Sequence, residues 1–266
     1  MKILTKKKVV IYTTANLILF ITNMILFAFT MNNPLTVTWL MVVYFVLSSL
    51  VIAYLLYILI RAIGYDEKIP KVSKRYKVFD WAGFILIPFS LFILIFGNFF
   101  VRGKVSQNSM IPTLYDGDVI FIYKFQYEPK TGDIAIIKES SVSDEEGDFI
   151  IKRIIAVPGD IIRFHEHGYV DGVMKGQVFI NDEAYVSPSN ELTGVSTLFT
   201  FAEFTTLING QELISDQTYK LKEGKYLALG DNFMNSKDSR NYGAFDIAQI
   251  GGKMVLSLGG GKKWVI

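Results

Sequence analysis

The 266-residue chain has no cysteine, and its only histidines are His165 and His167. No disulfide framework can therefore staple the fold, and no thiolate-held metal cluster can form. Charge is missing too, over one long stretch: no Asp, Glu, Lys or Arg occurs from Val9 to Ile60, 52 residues in a row. A bilayer is crossed by about 20 helical residues, so this run exceeds one span and fits two. The polar turn "MNNPLT" at 31 to 36 divides it.

What is present is a surplus of apolar side chains, 51% of the sequence, with 14% aromatic. That is too apolar for an ordinary soluble protein. The reading is three retained membrane helices at about 9–30, 37–60 and 81–101, joined by a loop at 61–78. A cleavable signal peptide would be shorter and end in small residues, which the first run does not. Residues 1–101 carry ten Lys/Arg against Asp66, Glu67 and Asp80, and all ten lie before the first helix or between the second and third. The positive-inside rule then makes the N-terminus and the 61–78 loop cytoplasmic and sends residues 102–266 outside a cytoplasmic membrane, in a multi-pass arrangement with the lipid bilayer as partner.

Residues 102–266 hold 17 Lys/Arg and 22 Asp/Glu. The basic surplus thus sits at the membrane, and an acidic outer domain argues against nucleic acid as a partner. Its runs "DVIFIYKF", "DIAIIK", "FIIKRIIAV", "GQVFIND", "STLFTFAEF", "KYLALGD" and "KMVLSL" are strand-length, rich in Val, Ile, Phe and Tyr, and bounded by turn residues. The expected class is membrane-anchored and mainly β: three N-terminal transmembrane helices, then an all-β domain. The acidic stretch "SVSDEEGD" at 141 to 148 reads as an exposed hairpin loop.

Ser109, in "SQNSMIPT", raises the question of a nucleophile, because a serine hydroxyl reacts at neutral pH only beside a base. The HxH pair, in "RFHEHGY", points both rings to one face of a strand, a geometry that suits a metal; with no third ligand in view it reads as a surface strand, and no acid stands ready to orient a triad. Lys152, in "DFIIKRIIAVPGD", alternates with Ile150 and Ile154, and an aliphatic setting disfavours its ammonium form. Alone, the segment also fits an edge-strand lysine reaching to water. A third stretch, "LGDNFMNSKDSRNYGAF", gathers Asp231, Asn232, Ser236, Asp238, Ser239 and Arg240 after an apolar strand, as a loop built on Asx turns or as a support for a neutral amine.

Together "QNSMIPTLYDGD", "KRIIAVPGD" and "GDNFMNSKDSRNYG", in that order behind a membrane helix, resemble the three boxes of the bacterial type I signal peptidases, the membrane-bound Ser/Lys leader peptidases. The resemblance spans about 101 to 256. It implies a serine endopeptidase without metal or other cofactor, acting on the signal peptides of exported preproteins with small residues before the cut. Ser109 becomes the nucleophile and Lys152 the general base, with Ser236 holding the amine. Asp231 would pair with Arg153, and Asp238 with Arg240. Met110, Leu114 and Ile151 fall where the family lines its pockets. Gln107 replaces the serine or glycine common two residues before the nucleophile, which makes its amide the candidate second oxyanion donor, and Phe233-Met234 replaces a commonly charged pair. Two other readings stand beside this one: a processing protease dedicated to one client such as a pilin or conjugation component, and a non-catalytic membrane-anchored β binding module.

Overall fold

A computed structural model describes residues 6–33, 35, 38–62, 75–138, 149–208, 216–259 and 262–265. It divides into two compact units, Met1–Asn32 with Thr36–Phe100, and Asn33–Leu35 with Val101–Ile266. The acidic stretch at 141 to 148 and most of the loop at 61 to 78 lie outside the described residues.

The first unit holds α1 (Lys6–Thr30), α2 (Thr38–Ala62) and α3 (Arg75–Phe92), the last continuing as a π-helical turn, Ile93–Gly97. Its surface is apolar: Ile18, Phe29, Leu50 and Phe84 are all exposed. Its interior holds polar groups. Asn23, fully buried, donates through Nδ2 to Tyr44 Oη at 3.2 Å and to the Ser90 carbonyl at 3.3 Å, and its Oδ1 accepts from Asn98 Nδ2 at 3.2 Å. One asparagine therefore ties the three helices together. Among the described residues, Val10–Thr30 alone is long and apolar enough to cross a membrane; Met41–Tyr57 and Phe84–Gly97 are shorter apolar helices. The sequence reading of a third span running to Val101 is corrected. Asn98 Nδ2 turns back onto the carbonyls of Ile93 and Leu94, the helix stops, and the chain enters a strand at Phe100.

In the second unit the strands are β1 (Phe100–Lys104), β2 (Val119–Tyr123), β3 (Ile134–Lys138), β4 (Phe149–Ala156), β5 (Ile161–Val170), β6 (Val173–Ile180), β7 (Glu183–Ala184), β8 (Leu198–Thr200), β9 (Thr218–Lys220), β10 (Lys225–Leu229), β11 (Phe245–Asp246), β12 (Ile250–Gly259) and β13 (Lys262–Val265). They form one sheet in the order β1-β2-β12-β3-β4-β10-β11, with β13 on β12, and a second in the order β7-β6-β5-β9, with β8 on β6. Strand β4 lies inside the first sheet, antiparallel to both β3 and β10, so its side chains are held from two sides.

The domain is mainly β rather than all-β. Three short helices interrupt it: α4 (Pro188–Thr193), α5 (Phe201–Leu207) and α6 (Ser239–Tyr242). The run "STLFTFAEF", expected as a strand, is a three-residue strand that turns into α5. Thr200 caps that helix: its Oγ1 accepts from Glu203 N at 3.2 Å, while Glu203 Oε2 accepts from Thr200 N at 2.8 Å. This reciprocal cap outweighs the β propensity of the Thr and Phe residues. Helix α5 then drops Phe204 and Leu207 into the core beside Ile162, Phe164 and Phe199.

Candidate active site

The serine turn begins and ends on one backbone clasp. Val105 N donates to the Asp118 carbonyl at 2.8 Å, and Gly117 N to the Val105 carbonyl at 3.0 Å. Within the loop, Met110 and Leu114 are spaced four apart and both point down. They are fully buried among Val105, Ile120, Ile122, Ile134, Ile136 and Met254. This anchorage leaves Ser109, next to Met110, half-exposed at the top of the turn. Met110 and Leu114 form the floor under the turn, and of the three residues expected to line pockets Ile151 alone retains exposure. Gln107 is exposed and left-handed at φ 76°, with its N–H donating to Asp116 Oδ1 at 3.1 Å.

Lys152 comes from the middle of β4. Its neighbours two residues away, Ile150 and Ile154, pack with Ala135, Ile137, Ala228, Phe245 and Ile250. Across the sheet it faces Ala135, a small residue that leaves room for the long stem. The lysine is 3% exposed, and Nζ donates to Ser109 Oγ at 2.9 Å. With the amine neutral, the same contact reverses and the hydroxyl donates. A desolvated site favours that neutral form.

The next residue, Arg153, holds Asp231: Nε lies 2.8 Å from Oδ1 and Nη2 2.6 Å from Oδ2. Burial alone would lower the arginine's pKa, but the hydrogen bonds and charge of Asp231 leave it above its ordinary value. Thr113, from the serine turn, donates to Asp231 Oδ2 and accepts from Arg153 Nη2 at 3.4 Å. The serine turn, the lysine strand and the loop after β10 are thereby joined at one carboxylate.

That loop is fastened by a second pair. Asp238 accepts from Arg240 Nε at 2.9 Å and Nη2 at 2.9 Å, and from Gly230 N at 3.0 Å. The guanidinium sits 3.9 Å over the Phe233 ring and donates to the carbonyls of Phe233 and Ser236. Here too burial is outweighed by the facing carboxylate, and the arginine pKa is raised. Both aspartates are thus engaged by arginines.

The Ser236 Oγ is buried and makes no hydrogen bond. It presses against Gly230, where a Cβ would meet Ser236 Cβ at 2.5 Å and the Ser109 carbonyl at 2.6 Å. Asn232, which the sequence places in the third stretch without a role of its own, reaches the nucleophile's segment directly: its N–H donates to the Ser109 carbonyl and its Nδ2 to the Asn108 carbonyl, each at 2.9 Å. His165 pairs with Asp216, Nδ1 to Oδ1 at 2.9 Å, on an exposed edge. Among the described residues no group of three or more His, Asp or Glu side chains is placed to hold a metal.

A buried amine on a serine hydroxyl is the arrangement of a Ser/Lys hydrolase. The chain is 31% identical over 192 residues to signal peptidase I of Bacillus licheniformis, covering 70% of this chain and 90% of that one. With signal peptidase I of Bacillus amyloliquefaciens it shares 32% identity over 188 residues, 68% of this chain and 88% of the relative. A solved signal peptidase I from Enterococcus faecalis matches 48% of this chain and 97% of its own at 27% identity, with a TM-score of 0.31, too low to bear on the fold. The family described as signal peptidase, peptidase S26, matches residues 78–258. Since that stretch contains the serine turn, the lysine strand and the arginine-fastened loop, and covers well over half of the sequence, the chain belongs to the peptidase S26 signal peptidases.

Proposed function

We propose that this protein is a signal peptidase I that removes signal peptides from exported preproteins, with Ser109 as nucleophile and Lys152 as general base. The observation that carries the residue assignment is the 2.9 Å contact between Lys152 Nζ and Ser109 Oγ with the lysine 3% exposed. Neutral Lys152 takes the hydroxyl proton as Oγ attacks the scissile carbonyl. The ammonium then gives that proton to the leaving amine as the peptide C–N bond breaks. Water attacks the resulting ester, again losing its proton to Lys152, and frees the serine. Developing charge on the carbonyl oxygen is met by the Ser109 N–H, with the Gln107 amide as the second donor.

The helical unit serves as a multi-pass anchor with the N-terminus cytoplasmic and residues 102–266 outside. The charge map supports this orientation. So does a unit whose outer faces are apolar while Asn23 and Asn98 bond inside, the distribution a bilayer favours. The three helices then all cross, with α2 and α3 completing their spans through flanking residues.

The deciding experiment assays the full chain in detergent micelles on a preprotein. Ser109→Ala and Lys152→Ala should each abolish cleavage while keeping the wild-type circular dichroism, because neither half of the dyad works alone. Cleavage retained by either variant removes the assignment, and retention by both returns the protein to the binding-module reading.

A further inference from the structure

The geometry points to Asn232 as a positioning residue that aims the Ser109 N–H at the reacting carbonyl oxygen, an inference that rests on the Ser109 assignment above. Asn232 makes two contacts to consecutive carbonyls, its own N–H to Ser109 and its Nδ2 to Asn108, both 2.9 Å. The peptide bond between those residues is trans, so the Asn108 C=O and the Ser109 N–H point in opposite directions from one rigid plane. Holding the carbonyl toward Asn232 turns the N–H away from it. Among the described residues that N–H has no hydrogen-bond partner, although it lies in a turn where Thr113 and Leu114 both find one. An idle donor next to a nucleophile, fixed in direction by its neighbour, is preorganised for an oxyanion.

Asn232 is itself well held. Before it, Asp231 is engaged by Arg153, and its carbonyl accepts from Ser189 N at 3.1 Å. After it, Phe233 is buried beneath the Arg240 guanidinium, and its N–H donates to Ser189 Oγ at 3.3 Å. The asparagine can therefore fix the direction of the Ser109 plane rather than follow it. Its side chain supplies the shorter of two bonds on the Asn108 carbonyl, the other coming from Ile111 N at 3.3 Å, and the backbone bond to the Ser109 carbonyl survives any substitution. Loss of the amide loosens the Asn108–Ser109 plane and leaves the amine-to-hydroxyl contact in place. The expected defect lies in transition-state binding, not in substrate binding or in proton removal.

The test uses the full chain in micelles with Asn232→Ala and the isosteric Asn232→Asp, which keeps shape but replaces the donor. Both should lower kcat about 10- to 100-fold, short of the roughly 100- to 1,000-fold that follows outright removal of an oxyanion donor. KM and the pH at which activity rises should stay where they are. A peptide aldehyde, whose serine adduct carries the same oxygen, should lose affinity by the same factor as kcat/KM, while the matching peptide alcohol should bind unchanged. Unaltered kcat in Asn232→Asp overturns the inference, as does a kcat loss without an aldehyde loss. Loss of the folded state in both variants also overturns it, since Asn232 would then serve stability. Cleavage surviving in Ser109→Ala is the separate result that would remove the underlying assignment.

Discussion

Arg153 and Asp231 meet fork to fork, with the two carboxylate oxygens 2.8 and 2.6 Å from Nε and Nη2 and the aspartate side chain wholly buried. Removing one partner of such a pair leaves a charge without compensation, which typically costs about 3–5 kcal/mol. Arg153→Met strands the buried Asp231 carboxylate and should fall in that range. Asp231→Asn should cost less, because the arginine keeps an acceptor and its side chain is 23% exposed. Urea unfolding of each variant, read by tryptophan fluorescence, measures the difference; equal losses would mean that the two charges are equally well solvated when alone.

Gly230 offers a separation of stability from activity. An added methyl at this position meets the Ser109 carbonyl at 2.6 Å and Ser236 Cβ at 2.5 Å. Overpacking of this kind costs about 1–3 kcal/mol when the surroundings shift. The methyl meets the Ser236 side chain first and the nucleophile's own backbone next, and because both must give, Gly230→Ala should lose more than tenfold in kcat while remaining folded. A variant with wild-type kcat would show that the loop moves outward instead.

Lys124 is a second buried amine, 2% exposed, with its pKa lowered from 10.5 to about 8 by desolvation. Between those two values the unfolded chain binds the proton and the folded one does not, so stability rises with pH through that window and the penalty is complete below it. The shift corresponds to roughly 3 kcal/mol. Relative to wild type, Lys124→Met should therefore be most favoured at pH 7, and its advantage should shrink as pH climbs from 8 toward 10.5. A difference that stays flat across that range would mean that the ammonium is solvated in the folded state.

Thr200 and Glu203 can be told apart. Thr200→Ala removes the cap of α5 and should cost about 1 kcal/mol. Glu203→Ala leaves the backbone bond to Thr200 Oγ1 and removes the return half of the cap, from Thr200 N to Oε2, and also the contact from Arg240 Nη1 to Oε1 at 3.4 Å. A double-mutant cycle between Glu203 and Arg240 should report a coupling of a few tenths to 1 kcal/mol, small because the glutamate is 28% exposed. Zero coupling would reduce Glu203 to a capping residue alone.

The strand core was legible because β4 and its neighbours are short aliphatic runs with no competing periodicity. The nearness of Ser109 to Lys152 and both arginine pairs were legible because these residues sit in compact boxes whose residue types have few other uses in that order. Other features were not. Helix α5 was hidden by β-prone residues, although its Thr-Phe-Ala-Glu cap was in view and decides the local structure. The burial of Met110 and Leu114 depends on strands β2, β3 and β12 closing beneath the turn, which no local pattern announces. Ser236 and Asn232 lie four residues apart in one polar stretch, and only the folded loop shows which of them bonds the nucleophile segment.

Lys152 and Arg153 are adjacent on β4, and successive residues of a strand project to opposite sides. Loss of a single residue between Phe149 and Ile151, with the residues that follow moving back one place along the strand, would carry the guanidinium into the amine's position, the amine into the place of Ile151 and Ile154 into the place of Arg153. A guanidinium stays protonated throughout the working range of an enzyme, so the serine would face a permanent cation. Substitutions along this strand are matters of degree; a frame slip there is all or nothing. Surviving variants of this protein should carry their insertions and deletions in its loops and none between Phe149 and Arg153.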